Sequence, residues 1–257
     1  MGDDTYPDAD RAEIRAEVDA APAPSRRVPL SRTSVVAAAV DFIDVHGLPA
    51  LTMRRLGQEL GVEAMALYRH VPGREDLLDA VAGRVIAEMA EDDDVVDHPH
   101  DGWQDFLQRL AHGVRRVALR HPKVFPLVAS RPPEAPWLRP PLRSLEWVEK
   151  FLAALRAEGF SDAAAASAYR SFTGFLLGHL LLEVAAQGAD LGPLDVLEEA
   201  EGPSTRELYA DYENVARLRP LLSEDHSATE FEDALEELLQ RLALMRQLDP
   251  GSDTVRS

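Results

Sequence analysis

The sequence predicts an all-α protein with a small helix-turn-helix unit near the N-terminus and a larger helical domain after it. Hydrophobic residues make up 46% of the chain but aromatic residues only 6%, and this Ala- and Leu-rich composition favours helices over strands. Apolar residues also recur at intervals of three and four through most of the sequence, as amphipathic helices require. The absence of cysteine excludes disulfides and thiolate metal sites.

The first helix is predicted over Arg32–His46. Ser31 can cap its N-terminus, Gly47 can end it, and Val36, Val40 and Ile43 recur on one face. Residues 1–29 are rich in Asp, Ala and Pro, so we expect a mobile N-terminal tail there.

Residues 51–74, LTMRRLGQELGVEAMALYRHVPGR, predict two short helices joined at Gly61. The first should cover residues 52–60 and the second about 64–70. Gly57 falls where the two helices approach closely, and Pro72 should end the second one, because proline disfavours helical geometry in the preceding residue. This is the pattern of a helix-turn-helix, although the apolar spacing alone also fits an ordinary helical hairpin.

Six further helices are expected after this unit. A long helix should begin at Arg74 or Glu75, and a second long helix should begin at Ser161 or Asp162 and be apolar on nearly every side. We expect Pro220 to interrupt the helix predicted over residues 205–218. The predicted ranges are 74–90, 103–120, 142–158, 162–187, 205–218 and 229–248.

Polar and basic side chains crowd the helix-turn-helix and favour nucleic-acid binding. The net charge of −18 argues against this at first sight, but residues 28–76 carry six acidic and five basic residues, so most of the acidity lies elsewhere. We therefore expect weak non-specific attraction to DNA and a greater dependence on specific contacts.

Together these residues resemble the DNA-binding unit of the tetracycline-repressor (TetR) family, in the form LTMRRL…ELGV…ALYRHV…GR…LLD over about residues 28–82. The resemblance implies a DNA-binding domain at 30–76 and a ligand-binding and dimerisation domain at 77–257. It places Arg54 near a base or phosphate, Ala64 to Ala66 on the base edges, and Tyr68, His70 and Arg74 on phosphates. The expected DNA-binding residues are Thr52, Arg54, Ala64, Met65, Ala66, Tyr68, Arg69, His70 and Arg74.

The second half resembles the C-terminal domain of tetracycline repressors, where a histidine and a carboxylate help to hold an antibiotic–magnesium complex. Leu127 falls at the histidine position and Leu182 near the carboxylate position, with Glu183 beside it. We therefore expect no metal and no cofactor, and a small hydrophobic effector instead. The expected ligand-binding residues are Phe125, Leu127, Trp137, Trp147, Phe151, Phe172, Phe175, Leu176, His179 and Glu183.

A homodimer is expected through the C-terminal helices. Phe231, Leu235, Leu238, Leu242 and Met245 form an apolar stripe that could pack with the helix at 163–187 in a four-helix interface. The alternative is packing of the same stripe within one chain.

The resemblance implies a ligand-responsive transcriptional repressor that binds a palindromic operator as a dimer and is released by the effector, although activation of transcription is also open. An all-helical enzyme and a ligand-binding protein without DNA affinity are the alternatives. An all-helical enzyme would need His112, His121, His179 and Glu183 to form a site, and no spacing links them. A ligand-binding protein without DNA affinity would not need the basic set described above. The segment 91–101, EDDDVVDHPHD, reads better as a solvated loop than as a metal site. Without a signal peptide or a membrane span, the protein should be soluble and cytoplasmic.

Overall fold

Ten α-helices form the part of the chain described by the computed structural model, which is residues 30–92, 95, 99–130, 138, 144–191 and 212–249. No strand occurs within these ranges, so the predicted all-α fold is confirmed. The helices are α1 (Arg32–His46), α2 (Met53–Glu59), α3 (Ala64–Leu67), α4 (Arg74–Ala90), α5 (Trp103–Arg120), α6 (Phe125–Ser130), α7 (Leu145–Ala157), α8 (Asp162–Ala186), α9 (Glu213–Leu222) and α10 (Ser227–Leu248).

Helix α1 has the predicted bounds because both of its ends are determined locally. The backbone N–H of Ser34 donates to the Ser31 hydroxyl at 3.1 Å, and the Ser31 N–H donates to the Ser34 hydroxyl at 2.9 Å. This reciprocal pair is a capping box closed by a serine. At the other end Gly47 has a φ of 80°, which side chains rarely tolerate.

Helices α2 and α3 form the predicted helix-turn-helix. Thr52 caps α2, and Gly61 turns the chain with a φ of 66°. A Cβ atom added at Gly57 would lie 2.9 Å from the carbonyl oxygen of Val62, so glycine is required by the close approach of the two helices. Helix α3 ends at Leu67 and is shorter than predicted, because residues 68–70 form turns before Pro72.

Two hydrophobic cores organise the described residues. The first belongs to α1–α3, which we call the head, and includes Leu77, Val81 and Val85 of α4 together with Val124. The second lies between α5, α7, α8 and α10. Helix α4 therefore packs into the head along its first half and leads towards the second core, and we call it the connecting helix. The predicted boundary at residue 76 separates the head from apolar side chains that complete its core.

The predicted apolar stripe on α10 packs largely within its own chain, which corrects our expectation for the dimer interface. Phe231, Leu235 and Leu242 are at most 1% exposed in the second core. Different residues remain exposed on the same pair of long helices, namely Leu182 on α8 (72%) and Leu244 and Leu248 on α10 (60% and 86%).

Pro220 lies inside α9 and does not interrupt it, contrary to the prediction. Every residue of α9 is exposed, so water can satisfy a carbonyl group that the proline leaves without its helical partner.

Several predictions fall outside the described residues: the tail at 1–29, Trp137, and the helical segment at 205–211. None of the helices described is long and apolar enough to cross a membrane.

Candidate functional site

The head presents a mixed basic, aromatic and apolar surface. Arg54, Tyr68 and Arg69 are exposed, and Met65 is the most exposed large hydrophobic residue of α3, at 75%. Ala64, Ala66 and His70 are half-buried beside them. The core residue Leu67 anchors this turn with no exposed surface, so the exposed side chains stand on a packed support.

Two of the predicted DNA-binding residues also have structural contacts. The hydroxyl of Thr52 accepts a hydrogen bond from the Arg55 N–H at 3.1 Å and so caps α2. Arg74 donates from Nε to the carbonyl oxygen of Leu51 at 3.4 Å and lies 3.6 Å from the Glu75 carboxylate. Arg55 is held within the head, because it donates to the Ala50 carbonyl at 3.1 Å and its guanidinium lies 5.3 Å from the centre of the Phe42 ring.

A cavity of about 100 Å³ lies beside the connecting helix. Its wall is almost entirely apolar and is contributed by α4 to α8 and by the residue that caps α7. No lysine, arginine, histidine, aspartate or glutamate lines it among the described residues. The wall consists of Ile86, Met89, Leu110, Val114, Phe125, Val128, Ala129, Ser144, Trp147, Phe151, Tyr169, Phe172, Thr173, Leu176 and Leu177.

The structure brings five of the predicted ligand residues to this cavity: Phe125, Trp147, Phe151, Phe172 and Leu176. The rings of Phe151 and Phe172 pack against each other, with their centroids 5.5 Å apart.

Leu127, another predicted ligand residue, does not line this cavity. It lies with Val117 and Val124 in the core that α4 shares with the head. It follows Phe125 by two residues on a short helix, so its side chain points away from the cavity that Phe125 lines.

Phe175, His179 and Glu183 also lie outside this cavity, because they follow one another at intervals of four along a different face of α8. Phe175 and His179 pack on Phe231 of α10, with ring centroids 5.6 and 5.2 Å away, and the His179 ring lies 3.2 Å from the Ser227 carbonyl oxygen.

Glu183 is buried and forms a two-point ion pair with Arg115. Arg115 Nε donates to one carboxylate oxygen at 3.0 Å and Nη2 donates to the other. The hydrogen bond to Glu183 raises the pKa of Arg115. The face of α8 that carries Glu183 therefore joins α8 to α5 and α10.

Sequence reasoning missed the three hydroxyl residues of the cavity wall, Ser144, Tyr169 and Thr173. The Ser144 hydroxyl caps α7. The Tyr169 and Thr173 hydroxyls hydrogen-bond to each other, and burial raises the pKa of Tyr169 to about 12, so its phenol stays neutral at physiological pH. Tyr169, Phe172, Thr173 and Leu176 are spaced by three, four and seven residues, which puts them on one helix face. That spacing could have identified Tyr169 and Thr173 once Phe172 was chosen.

The histidines considered for an enzyme each have a different partner. His112 lies 3.0 Å from a Glu232 oxygen, and His121 lies between the carboxylates of Asp44 and Glu88. The described residues contain no group of three or more histidine, aspartate and glutamate side chains arranged to hold a metal.

The geometry defines an all-helical protein with a helix-turn-helix head joined through one helix to a domain with an apolar cavity. Two family models match this division. Residues 35–81 match the bacterial regulatory proteins of the tetR family, and residues 96–245 match the tetracyclin repressor-like C-terminal domain. The chain belongs to the TetR family.

Named relatives are similar over part of their length. The HTH-type transcriptional repressor DrrR1 of Streptomyces coeruleorubidus is 33% identical over 161 residues, which are 63% of this chain and 56% of that protein. The class D tetracycline repressor protein of Escherichia coli is 33% identical over 59% of this chain and 66% of its own length. The chain thus spans less than two thirds of these relatives.

A solved structure covers more of the fold. A possible TetR family transcriptional regulator from Streptomyces coelicolor A3(2) superposes with a TM-score of 0.65 and 32% identity, covering 84% of this chain and 100% of the other.

Proposed function

We propose that this protein is a dimeric transcriptional repressor that binds an operator through the head and releases it when a small uncharged molecule enters the cavity. One observation carries the proposal: the connecting helix α4 completes the head core with Leu77, Val81 and Val85 and lines the cavity with Ile86 and Met89. A change at the cavity wall therefore moves a helix that is part of the head.

The exposed residues of the head fit a duplex. Arg54 and Arg69 supply positive charge for phosphates or for a guanine edge, Tyr68 supplies a hydroxyl for phosphate, and Met65 supplies an apolar surface for a thymine methyl group. DrrR1 and the class D tetracycline repressor protein are both named repressors, which supports repression of transcription by this protein.

DNA binding is tested with an operator selected from a random duplex library by the wild-type protein. Arg54→Ala should lower affinity and reduce its dependence on salt, because each lost phosphate contact removes about one unit of the logarithmic salt slope. Tyr68→Phe should weaken binding less, since only a hydroxyl is lost. Arg74 is a poorer probe because its truncation also removes the bond to Leu51.

The matched control is Arg156→Ala, which removes an arginine on α7 that pairs with Asp162 far from the head in sequence. It should bind the operator as the wild type does. Equal affinity and equal salt slope for Arg54→Ala and the wild type would contradict the assignment of the reading surface.

The cavity wall favours one chemical class of effector. A charged molecule would lose its hydration without gaining an ionic partner, at a cost of several kcal/mol. An apolar molecule gains free energy from buried area, roughly 25 cal/mol per Å². The Tyr169 and Thr173 hydroxyls can hydrogen-bond a carbonyl or ether oxygen, so we propose a neutral ring compound with one such group.

The size of the cavity explains how such a molecule would act. At about 100 Å³ it is smaller than common ligand pockets, which occupy roughly 300–1,000 Å³. A bound ring compound must therefore displace part of the wall. Met89 and Ile86 are side chains of the connecting helix, and their displacement would favour an arrangement with lower operator affinity. Release requires this preference, since equal affinity for both arrangements shifts nothing.

Three probes of similar shape separate the possibilities: ethylbenzene, acetophenone and benzoate. Acetophenone should bind better than ethylbenzene and release labelled operator, and benzoate should not bind. Tyr169→Phe should remove the advantage of acetophenone, while Tyr212→Phe, a change at an exposed tyrosine, should leave it. The strongest binding by benzoate would contradict a neutral effector, and release only with added divalent metal would contradict metal-free binding.

Dimerisation is proposed through the exposed faces of α8 and α10. Gly174, Gly178 and Leu182 follow one another at intervals of four and are all exposed, and Leu244 and Leu248 are exposed on the neighbouring long helix. Packing these faces against a second copy would remove this apolar surface from water, as an isologous four-helix interface does.

Leu244→Glu should give monomers that lose operator binding, because a charge would be buried at the seam. Leu145→Glu is the control, since Leu145 is an exposed leucine at the start of α7. Sedimentation at a fixed protein concentration distinguishes the two, and a dimeric Leu244→Glu protein would rule out this interface.

A further inference from the structure

His121 lies where three elements of the fold meet. Its Nδ1 is 2.6 Å from an Asp44 oxygen near the end of α1, and its Nε2 is 2.9 Å from a Glu88 oxygen on the connecting helix. His121 itself immediately follows α5. One imidazole ring therefore connects the head, the connecting helix and the cavity domain. We call these three residues the histidine junction.

The geometry requires a charged ring. A neutral imidazole carries one N–H donor and one acceptor nitrogen, whereas an imidazolium donates from both. Both ring nitrogens of His121 face carboxylate oxygens, which accept hydrogen bonds but cannot donate when ionised. In the neutral ring one nitrogen lone pair would face a carboxylate at less than 3 Å and would be repelled.

The Asp44 carboxylate depends on this charge. Its second oxygen, Oδ1, is buried and has no hydrogen-bond partner among the described residues. The other oxygen of Asp44, Oδ2, forms a hydrogen bond with His121 Nδ1. The Asp44 side chain is partly buried, and a partly buried carboxylate that loses its cation is disfavoured, so loss of the His121 proton weakens the contact between α1 and the rest of the junction.

The arginine side chains around the junction stabilise the Glu88 carboxylate and not the His121 imidazolium. Arg84 lies 3.4 Å from one Glu88 oxygen, and Arg120 lies 3.5 Å from the oxygen that His121 contacts. Lys123 donates to the Val45 carbonyl at 2.8 Å and so adds a second link from the segment after α5 to α1. The hydrogen bond to Asp44 raises the pKa of His121 most, burial opposes it, and the bond to Glu88 raises it further.

The junction is also adjacent to the cavity. Glu88 precedes Met89 in the connecting helix, and Met89 lines the cavity. The His121 carbonyl accepts a hydrogen bond from the Phe125 N–H at 2.9 Å, and Phe125 lines the cavity as well. A molecule that displaces Met89 or Phe125 therefore acts on segments that hold both sides of the His121–Glu88 contact.

We propose that His121 is a positioning residue for operator binding, which as an imidazolium holds α1, the connecting helix and α5 in the arrangement that binds the operator. The inference rests on the proposed function. It assigns the junction to the effector-free arrangement, because the cavity next to it has a volume of only about 100 Å³. Opening the cavity and deprotonating His121 then disturb the same contacts, and each favours the other.

The direction of the pH effect follows from the raised pKa of His121. The junction stabilises the operator-binding arrangement fully at pH values below the ordinary histidine pKa. That stabilisation is lost as the pH rises through the raised pKa of the folded protein. Operator affinity should therefore fall as the pH is raised, and release by acetophenone should need less compound at high pH.

The test measures operator affinity by fluorescence anisotropy from pH 6 to pH 9 on the full chain. His121→Gln keeps a side chain that can hydrogen-bond but removes the charge. It should bind the operator at least about fivefold more weakly at low pH, the lower end of common coupling strengths, and its affinity should change less with pH. His112→Gln removes another His–Glu pair, at 3.0 Å, outside the junction and should keep the wild-type pH profile.

Two further measurements keep the inference testable if His121→Gln folds poorly. Glu88→Gln retains the ring and removes one carboxylate, so it should move the fall in operator affinity to lower pH. Nitrogen chemical shifts of the labelled imidazole rings report the titration of His121 without any DNA, and His121 should remain protonated above the ordinary pKa of a histidine.

The outcomes separate this inference from the proposed function. If no duplex is selected but His121 titrates late, the proposed function fails and the charged junction stands as a structural contact only. If the operator is bound and wild type and His121→Gln share one pH profile, the positioning role of His121 is overturned. Titration of His121 at or below the ordinary pKa of a histidine would overturn the charged junction itself.

Discussion

The ion pair between Arg115 and Glu183 allows a test of whether Glu183 is a structural residue or a ligand contact. Glu183→Gln removes the carboxylate charge while keeping the shape of the side chain. The Glu183 side chain is 4% exposed and that of Arg115 is 20% exposed. The guanidinium would therefore remain largely buried, keeping the electrostatic attraction of Glu232 but losing its hydrogen-bonded carboxylate. The Arg115 guanidinium also lies 5.1 Å from the centre of the Phe231 ring, which leaves it little room to reach water.

The expected cost follows from this burial. Removing one partner of a buried pair costs about 3–5 kcal/mol, and the partial exposure of Arg115 puts this pair at the lower end, about 3 kcal/mol. For a chain of this size that corresponds to a fall in Tm of roughly 6–12 °C. Replacing both residues with methionine should recover much of the loss, since an apolar pair leaves no buried charge.

Urea unfolding at one fixed protein concentration measures the free-energy change, and acetophenone binding is measured on the same samples. We expect Glu183→Gln to unfold at lower urea and to bind the probe with nearly unchanged affinity once folded. A loss of stability below about 1 kcal/mol, combined with lost probe binding, would refute the structural role and restore Glu183 as a ligand contact.

Three other predictions test separate parts of the molecule. Gly57→Ala should lose operator binding while retaining probe binding, because the new Cβ would lie 2.9 Å from the Val62 carbonyl oxygen; faster amide exchange confined to the head would show the cause. Ser31→Ala removes the capping box and should cost about 1 kcal/mol in thermal unfolding, and an unchanged Tm would contradict it. Ile86→Phe should fill part of the cavity, weakening acetophenone binding by calorimetry and lowering operator affinity without any probe; unchanged values for both would count against coupling through α4.

The sequence predicted best the elements whose ends are determined by neighbouring residues. Helix α1 has the predicted bounds because Ser31 caps it and Gly47 takes a positive φ. The helix-turn-helix followed from Gly57 and Gly61, each of which has a local geometric reason to be glycine.

The candidate cavity was predicted only in part because helix rotation depends on distant contacts. Helix α8 is apolar on several sides, so periodicity could not distinguish the face of Phe172 from that of Phe175. The structure resolves this by placing Phe231 of α10 against Phe175. The same contact explains why the apolar stripe of α10 packs inside the chain.

Met89 packs against both hydrophobic cores and also lines the cavity. Its unbranched thioether side chain can fill differently shaped gaps at little cost, so neighbouring wall residues can change while contact with both cores persists. A substitution here would shift the dose at which a biosensor built on this chain responds, with the Tyr169 and Thr173 hydroxyls left in place. Engineering of response threshold and engineering of chemical selectivity would therefore start from different positions.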